Sequence, residues 1–197
     1  MSLVRDLVAV CEQDWLLFGR QEIDRDAATI RRGMQETDER FWQRVGDYRR
    51  EAVGRKPTGR DTDLPCSAAF VSWAVRQAGG EVRFPASASH SRYIRRPIRD
   101  RRREVADVPS RGFRPAERAP AVGDPICCAR EFGIDSDRQP TTYKSHADVV
   151  VATAPGEVAA IGGNVGNSVA KRQLRADAVG RATDRRQAWF AVPENRL

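Results

Sequence analysis

Five short apolar runs separated by turn-forming residues occupy the second half of this 197-residue chain. Their β-branched and small apolar residues, bounded by Gly, Pro and Asp, are typical of antiparallel strands. Pro155 and Gly156 lie between two of the runs and predict a hairpin turn. The pattern favours a meander of four or five strands, formed by GDPICCARE from Gly123, SHADVVVATA from Ser145, GEVAAIGGNV from Gly156, SVAKRQL from Ser168 and AWFAV from Ala188.

The first half of the chain has helical periodicity instead. Apolar residues recur at helical spacing from Leu3 to Phe18, which predicts an amphipathic helix there. Helices followed by a meander indicate the α+β class rather than alternating α/β. We expect a helical N-terminal extension over residues 1–55, packed on a main domain over residues 56–197. Further helices are expected at residues 27–34, 37–53, 67–78 and 89–94, with a loop at residues 53–65.

Composition and spacing exclude several kinds of site. The four cysteines have no C-x-x-C spacing, so reduced thiols in a protein made in the cytoplasm are expected. The two histidines lie far apart and neither is part of a ligand cluster, so no metal and no cofactor are expected. No signal peptide and no membrane span are predicted. If the protein acts outside the cell, it leaves by a non-classical route or is released by lysis; nothing indicates its oligomeric state.

The segment LPCSAAFVSWAVRQAGG contains the strongest chemical signal. It places adjacent Cys66 and Ser67 at the start of a predicted helix. The helix dipole stabilises a thiolate or alkoxide there, and the free N–H groups can hold an oxyanion. Structural roles stay open for both residues, because serine is a favoured N-cap and unpaired cysteine is often a buried apolar residue.

A nucleophile at this position needs a base and a polar group that orients the base. His146 begins an apolar predicted strand, and Asp148 lies two positions later on the same face. Asn164 follows the next strand, where a hairpin partner could face His146. Asn164 after two glycines is equally a turn residue, and Asp148 could pair with His146 or with an arginine.

Four motifs taken together resemble the NlpC-type and CHAP-type cell-wall amidohydrolases, and they look closest to a bacterial branch of unknown function. The motifs are CSAAFVSWAVRQAGG, GDPICCAR, SHADVVVA and IGGNVGNSV, with a weaker resemblance upstream in FWQRVGDYRREAVG. The resemblance implies a papain-like α+β fold with helices packed on a small antiparallel sheet. It also implies cleavage of amide bonds in peptidoglycan through Cys, His and a polar third residue.

The resemblance assigns roles to individual residues, and this chain departs from the family at the nucleophile. Aligned through the Ala-Ala-Phe-Val segment, the family's catalytic cysteine falls on Ser67, and Cys66 takes the position of a tryptophan. His146 matches the base, and Asn164 matches a polar residue that could orient it. The alternatives are Cys66 as nucleophile and Asp148 as orienter, and the candidates to line the substrate cleft are His90 and Trp73.

The sequence thus predicts a peptidoglycan amidohydrolase or peptidase. The main alternative is a catalytically inactive papain-like domain that binds a cell-wall peptide or a protein partner, because a serine hydroxyl stays neutral and depends on a general base. The second alternative is a basic nucleic-acid-associated protein, from the net charge of +7 and the run RRPIRDRRRE at residues 95–104. Pro97 is expected to interrupt any helix there, and two acidic residues dilute the charge, which favours a solvated loop over nucleic-acid binding.

Overall fold

The computed structural model describes residues 2–54, 56–183 and 187–197. Within these ranges the chain forms four helices and eight strands, which places it in the α+β class. In chain order the elements are α1 (Leu3–Leu17), β1 (Gln21–Ile23), β2 (Thr29–Arg31), α2 (Phe41–Val53), α3 (Ser67–Gln77), α4 (His90–Arg102), β3 (Ser110–Phe113), β4 (Pro125–Ala129), β5 (Ser145–Ala154), β6 (Glu157–Gly162), β7 (Ala170–Arg175) and β8 (Ala188–Asn195). None of the helices in the described part of the chain is long and apolar enough to cross a membrane.

All eight strands form one mixed sheet in the order β2-β1-β7-β6-β5-β4-β8-β3. The pairing of β1 with β7 is parallel, and the other pairs are antiparallel. The hairpin between β5 and β6 turns at Pro155 and Gly156, as the sequence predicts. The sheet is larger than the small meander expected, because it also contains β1, β2 and β3. These three strands are only three or four residues long. Such short strands carry too little alternation to be recognised in the sequence.

The helices pack on the sheet and on each other. Helix α3 contacts β5, β6, α1 and α2, whereas α4 contacts β3, β5 and β8. Strand β5 is buried on both faces, since Ala147 and Val149 belong to the main core while Val150 belongs to a smaller cluster with Ile126 and Val158. Burial on both faces explains why residues 149–151 are three successive valines rather than an alternation of apolar and polar residues.

Helix predictions are confirmed for α1, α2 and α3, with α2 starting four residues later than expected. The helix expected at residues 27–34 is wrong, because that segment turns back as β2 along β1. Strand β1 then pairs with β7, so the first 54 residues contribute two strands to the sheet as well as two helices.

The short helix expected at residues 89–94 continues to Arg102, and Pro97 lies inside it. The expectation that Pro97 would interrupt the helix is therefore wrong. A proline removes one intrahelical hydrogen bond, yet α4 continues beyond Pro97. The helix buries Ile94, Pro97 and Ile98. Helix packing against β3 and β8 thus outweighs the local breaking signal.

Candidate active site

Ser67 is the first residue of α3, and its hydroxyl does not cap the helix. Cys66 takes the N-cap position, and no side chain among the described residues makes a capping hydrogen bond to α3. The Ser67 Oγ instead lies 2.7 Å from Nε2 of His90 in a hydrogen bond. Ser67 is 5% exposed, so this bond is shielded from most solvent. The structure therefore gives the serine a base at hydrogen-bond distance.

His90 begins α4, and its second ring nitrogen faces Tyr93 one turn along the same helix. Nδ1 of His90 and the Tyr93 hydroxyl form a short hydrogen bond. Burial lowers the pKa of His90 well below its ordinary value, and the nearby His146 and Arg130 lower it further. His90 is therefore neutral at pH 7, with one protonated and one unprotonated ring nitrogen. Burial also raises the pKa of Tyr93, so that hydroxyl keeps its proton.

His146 begins β5 and is held by a carboxylate on the same strand. Its Nε2 lies 2.7 Å from Oδ1 of Asp148, as expected for side chains two positions apart on one face. Arg172 of β7 pairs with the other Asp148 oxygen from two strands away. Burial alone would raise the pKa of Asp148, but Arg172 and His146 together hold that pKa well below its usual range. Asp148 is thus charged and fully buried, and it is hydrogen-bonded to the His146 ring.

The two histidines meet beside Ser67. Their ring centroids are 5.3 Å apart. Burial lowers the pKa of His146 too, and this effect exceeds the opposing influence of Asp148. The sequence pointed to His146 as the base of Ser67, whereas the structure places His90 in direct contact with the hydroxyl and His146 next to His90.

Cys66 faces away from this site. Its thiol donates a hydrogen bond to Oε2 of Glu36 at 3.1 Å, and the residue is 1% exposed. Burial, followed by the charge of Glu36, raises the pKa of the Cys66 thiol well above its ordinary value. A buried thiol with a raised pKa is a poor nucleophile.

Glu36 links the start of α3 to the loop after β6. Its Oε1 accepts a hydrogen bond from the backbone N–H of Asn164 at 2.6 Å, while its Oε2 accepts one from Cys66. Burial raises the pKa of Glu36, against the effect of these two bonds. Asn164 has a positive φ of 55°, and no hydrogen bond joins its side chain to either histidine within the described residues. The Asn164 side chain is thus held near the site by its backbone.

Ser67 and both histidines border one open cleft of about 360 Å³. Ala68 borders it as well, and the N–H groups of the first turn of α3 have no side-chain acceptor among the described residues. These groups are suited to hold an oxyanion beside Ser67. The other residues that line the cleft are Pro65, Ala88, Ser89, Arg130, Tyr143, Lys144, Ser145 and Asn164.

Of the two residues expected to line the cleft, the structure places His90 there and Trp73 elsewhere. Trp73 is 4% exposed in the main core, and its Nε1 donates to Glu51 of α2 at 2.9 Å. Among the described residues no group of three or more His, Cys, Asp or Glu side chains could hold a metal ion. Sequence reasoning missed three residues of the site, namely Glu36, Tyr93 and Arg172. The one available signal was the three-residue spacing between His90 and Tyr93, which places both side chains on the same face of a helix.

The comparisons with known proteins concern family membership alone. No curated protein and no solved structure matches the chain. A family profile does match residues 35–194, a range that contains Ser67, His90, His146, Asp148 and Asn164. The chain therefore belongs to the family described as an uncharacterized protein conserved in bacteria (DUF2272).

Proposed function

We propose that the chain is a serine-dependent amidohydrolase of papain-like type that cleaves an amide bond of bacterial peptidoglycan. The observation that carries the hydrolytic chemistry is the 2.7 Å contact between Ser67 Oγ and His90 Nε2, at the start of a helix and on the wall of an open cleft. A nucleophile, a base and free N–H groups in one place are what acyl transfer requires.

The reaction begins with attack of Ser67 Oγ on the amide carbonyl carbon, while His90 Nε2 takes the hydroxyl proton. The carbonyl oxygen becomes an oxyanion against the first N–H groups of α3. The carbon–nitrogen bond then breaks as the His90 proton passes to the leaving amine. A water molecule gives a proton to His90 and attacks the carbonyl carbon of the acyl-serine ester. The carbon–oxygen bond to Ser67 then breaks, His90 returns the proton to Ser67 Oγ, and the carboxylic acid is released.

His146 and Asp148 are the second part of the proposed site. Nε2 of His146 faces the charged carboxylate of Asp148, so Nδ1 is the nitrogen left to exchange protons. Since the two rings are adjacent, a proton on His90 disfavours one on His146. His146 therefore stays neutral while His90 carries the proton, and it is the alternative base for Ser67.

The papain-like type is supported by the architecture, and the peptidoglycan substrate is supported by the sequence motifs. The α+β architecture and the position of Ser67 at the start of a core helix agree with that type. The four motifs that resemble cell-wall amidohydrolases lie within the range matched by the bacterial family. Peptidoglycan is the substrate class that those motifs imply.

One observation favours an inactive binding domain as a second candidate. The Tyr93 hydroxyl keeps its proton and has no hydrogen-bond partner other than His90 among the described residues. If Tyr93 donates to Nδ1, then Nε2 carries the proton and donates to Ser67, and the serine is held without being activated. Catalysis requires the other tautomer, in which Nδ1 donates to Tyr93 and Nε2 accepts from Ser67.

The arginine-rich run gives the nucleic-acid alternative no such support. Of its six arginines, four are paired with carboxylates. Arg96 and Arg99 pair with Asp100, Arg101 pairs with Glu117, and Arg102 pairs with Asp137. A phosphate-binding face needs clustered charge that is free to meet phosphates.

The test uses purified peptidoglycan, with turbidity and the release of new amino groups as measurements. Wild-type protein is expected to cleave the walls, and Ser67→Ala and His90→Ala are each expected to lose activity by a factor of about 10³ or more. Cys66→Ala is the matched control, since it alters the neighbouring residue without touching the Ser67–His90 contact, and it should keep most activity. Circular dichroism and thermal unfolding confirm that each variant is folded.

Each result has a defined meaning. Full activity in Ser67→Ala would refute the assignment of the nucleophile. A loss in His146→Ala that exceeds the loss in His90→Ala would move the base to His146. Wild-type protein that binds wall fragments but leaves every amide intact would identify the inactive binding domain.

A further inference from the structure

Two cavities meet beside the proposed nucleophile. The Ser67 cleft of about 360 Å³ and a second cavity of about 310 Å³ share two lining residues, Arg130 and Asn164. The second cavity is bordered by Trp189, whose indole Nε1 is buried and has no hydrogen-bond partner among the residues that the structure describes. Arg130 thus borders a second cavity as well as the cleft that contains the reacting atoms.

The charged residues that line the Ser67 cleft are basic. Arg130 and Lys144 line it together with two histidines, and none of the described residues that line it carries a carboxylate. Neither cation forms an ion pair within the part of the chain that the structure describes. Among the described residues that line the second cavity the one acidic residue is Asp24, whose Oδ1 accepts two backbone hydrogen bonds from its own turn. Arg172 there is paired with Asp148.

Arg130 and Lys144 lie opposite each other at the end of the β4–β5 pair. The ladder ends at Ala129 and Ser145, and the next backbone hydrogen bond runs from Arg130 N to Lys144 O at 2.9 Å. Like charges at facing positions of an antiparallel pair are destabilising. An anion bound between the two side chains would offset this repulsion. The facing pair is therefore suited to bind an anion.

We infer that Arg130, with Lys144 beside it, forms a subsite for a carboxylate of the peptide substrate, next to the amide that Ser67 attacks. This inference rests on the proposed function and names the chemical class of its substrate. The guanidinium group of Arg130 can bind a carboxylate with two parallel hydrogen bonds. Arg130 also lowers the pKa values of both His90 and His146, so its charge acts at the site of reaction.

The experiment measures binding, so it is independent of turnover. A soluble stem-peptide fragment of peptidoglycan is titrated calorimetrically into Ser67→Ala protein. The same fragment, after its carboxylates are coupled to methylamine, serves as the neutral ligand. We expect the acidic fragment to bind at least about tenfold more tightly than the neutral one, because charged hydrogen bonds contribute more than neutral ones.

Adding Arg130→Gln should remove this preference by weakening the acidic fragment alone, and Lys144→Gln should reduce it in part. The matched control is Arg103→Gln, since Arg103 is an exposed arginine that lines neither cavity. Equal affinity for the two fragments, an equal loss for both in Arg130→Gln, or no binding of either would overturn the inference. Competition by inorganic phosphate as strong as that by acetate would assign the subsite to anions in general rather than to carboxylates.

The two proposals fail separately. If wild-type protein leaves walls intact but Ser67→Ala protein binds the acidic fragment through Arg130, the hydrolase is refuted and the subsite stands. If walls are cleaved without any preference for carboxylates, the subsite is refuted and the hydrolase stands.

Discussion

At the scale of single residues, adjacent Cys66 and Ser67 have opposite environments. Consecutive positions on a helix point about 100° apart, and here one side chain reaches His90 while the other reaches Glu36. The raised pKa of Cys66 keeps that thiol protonated. Their positions in the sequence are almost equivalent, so the difference in chemistry comes from what each side chain contacts.

Gly162 is the residue whose replacement most directly tests the His146–Asp148 pair. A Cβ atom at this position would lie 1.8 Å from Asp148 Oδ1 and 3.2 Å from His146 Nε2. We expect Gly162→Ala to lower the free energy of unfolding by about 2 kcal/mol or more and to reduce the proposed hydrolysis, because Asp148 must move. Urea unfolding and wall cleavage measure the two effects.

Gly46→Ala in α2 is the control for that substitution. Its Cβ would approach the Thr58 methyl group at 3.3 Å, a contact that a shift of a few tenths of an ångström relieves. The clash opposes a gain in helix propensity of about 1 kcal/mol, so a net change below about 1 kcal/mol is expected. A Gly162→Ala protein as stable as the wild type would show that the Asp148 carboxylate is not confined by Gly162.

At the scale of elements, α1 and α2 are joined through a buried carboxylate. Asp14 of α1 is 2% exposed and pairs with Arg44 of α2 at 2.6 Å. It also accepts a hydrogen bond from the buried Tyr48 hydroxyl. Arg44 in turn lies over the ring of Trp73 on α3, at 4.3 Å from the ring centroid to the guanidinium carbon. One carboxylate thus fixes α1 and α2 against the helix that carries Ser67.

Replacing Asp14 should loosen this three-helix contact. Asp14→Ala leaves the Tyr48 hydroxyl and Arg44 without their acceptor, and we expect a loss of about 2–4 kcal/mol in the free energy of unfolding. Asp47→Ala removes an exposed pair with Arg50 on the same helix α2, and a change below about 1 kcal/mol is expected. Chemical denaturation of both variants gives the comparison; equal losses would contradict a structural role for the buried pair.

At the scale of the whole molecule, the segment before the family match is part of the sheet. The profile begins at residue 35, whereas α1, β1 and β2 precede it. Strand β1 runs parallel to β7, and α1 contacts α3, β5 and β6. This segment therefore packs against both the Ser67 helix and the strands of His146 and Arg172.

Global stability should depend on pH through the two histidines. Both have pKa values below the ordinary one when folded, so protonation favours the unfolded chain. Their contribution is complete above the unfolded pKa of about 6.5 and is lost as the pH falls toward their folded pKa values. We expect stability to fall between pH 7.5 and pH 5, by at most about 2 kcal/mol for each histidine, which is the limit set by the unfolded pKa.

Urea unfolding at several pH values measures this dependence. The groups that face the two rings are Asp148, Arg172, Arg130, Tyr93 and Ser67. Of these, Asp148 has a folded pKa below its ordinary value, so its contribution is lost only below about pH 4, outside this window. The double variant His90→Gln, His146→Gln should have a flatter profile; an unchanged slope would show that other groups control it.

The sequence by itself determined the class of the fold, five of the eight strands, three helices and the position of Ser67 at a helix start. It also placed His146 and Asp148 on one face of a strand, which their hydrogen bond confirms. These features follow from local periodicity and from turn residues, which neighbouring positions encode together.

Tertiary structure alone decided which side chains meet. His90 reaches Ser67 from the start of α4, a helix that continues through Pro97 against the local signal. Glu36 and Arg172 join the site from distant parts of the chain, through the α3 N-terminus and the β5–β6–β7 pairing. Such contacts depend on how elements pack, and packing is a property of the assembled core rather than of any local pattern.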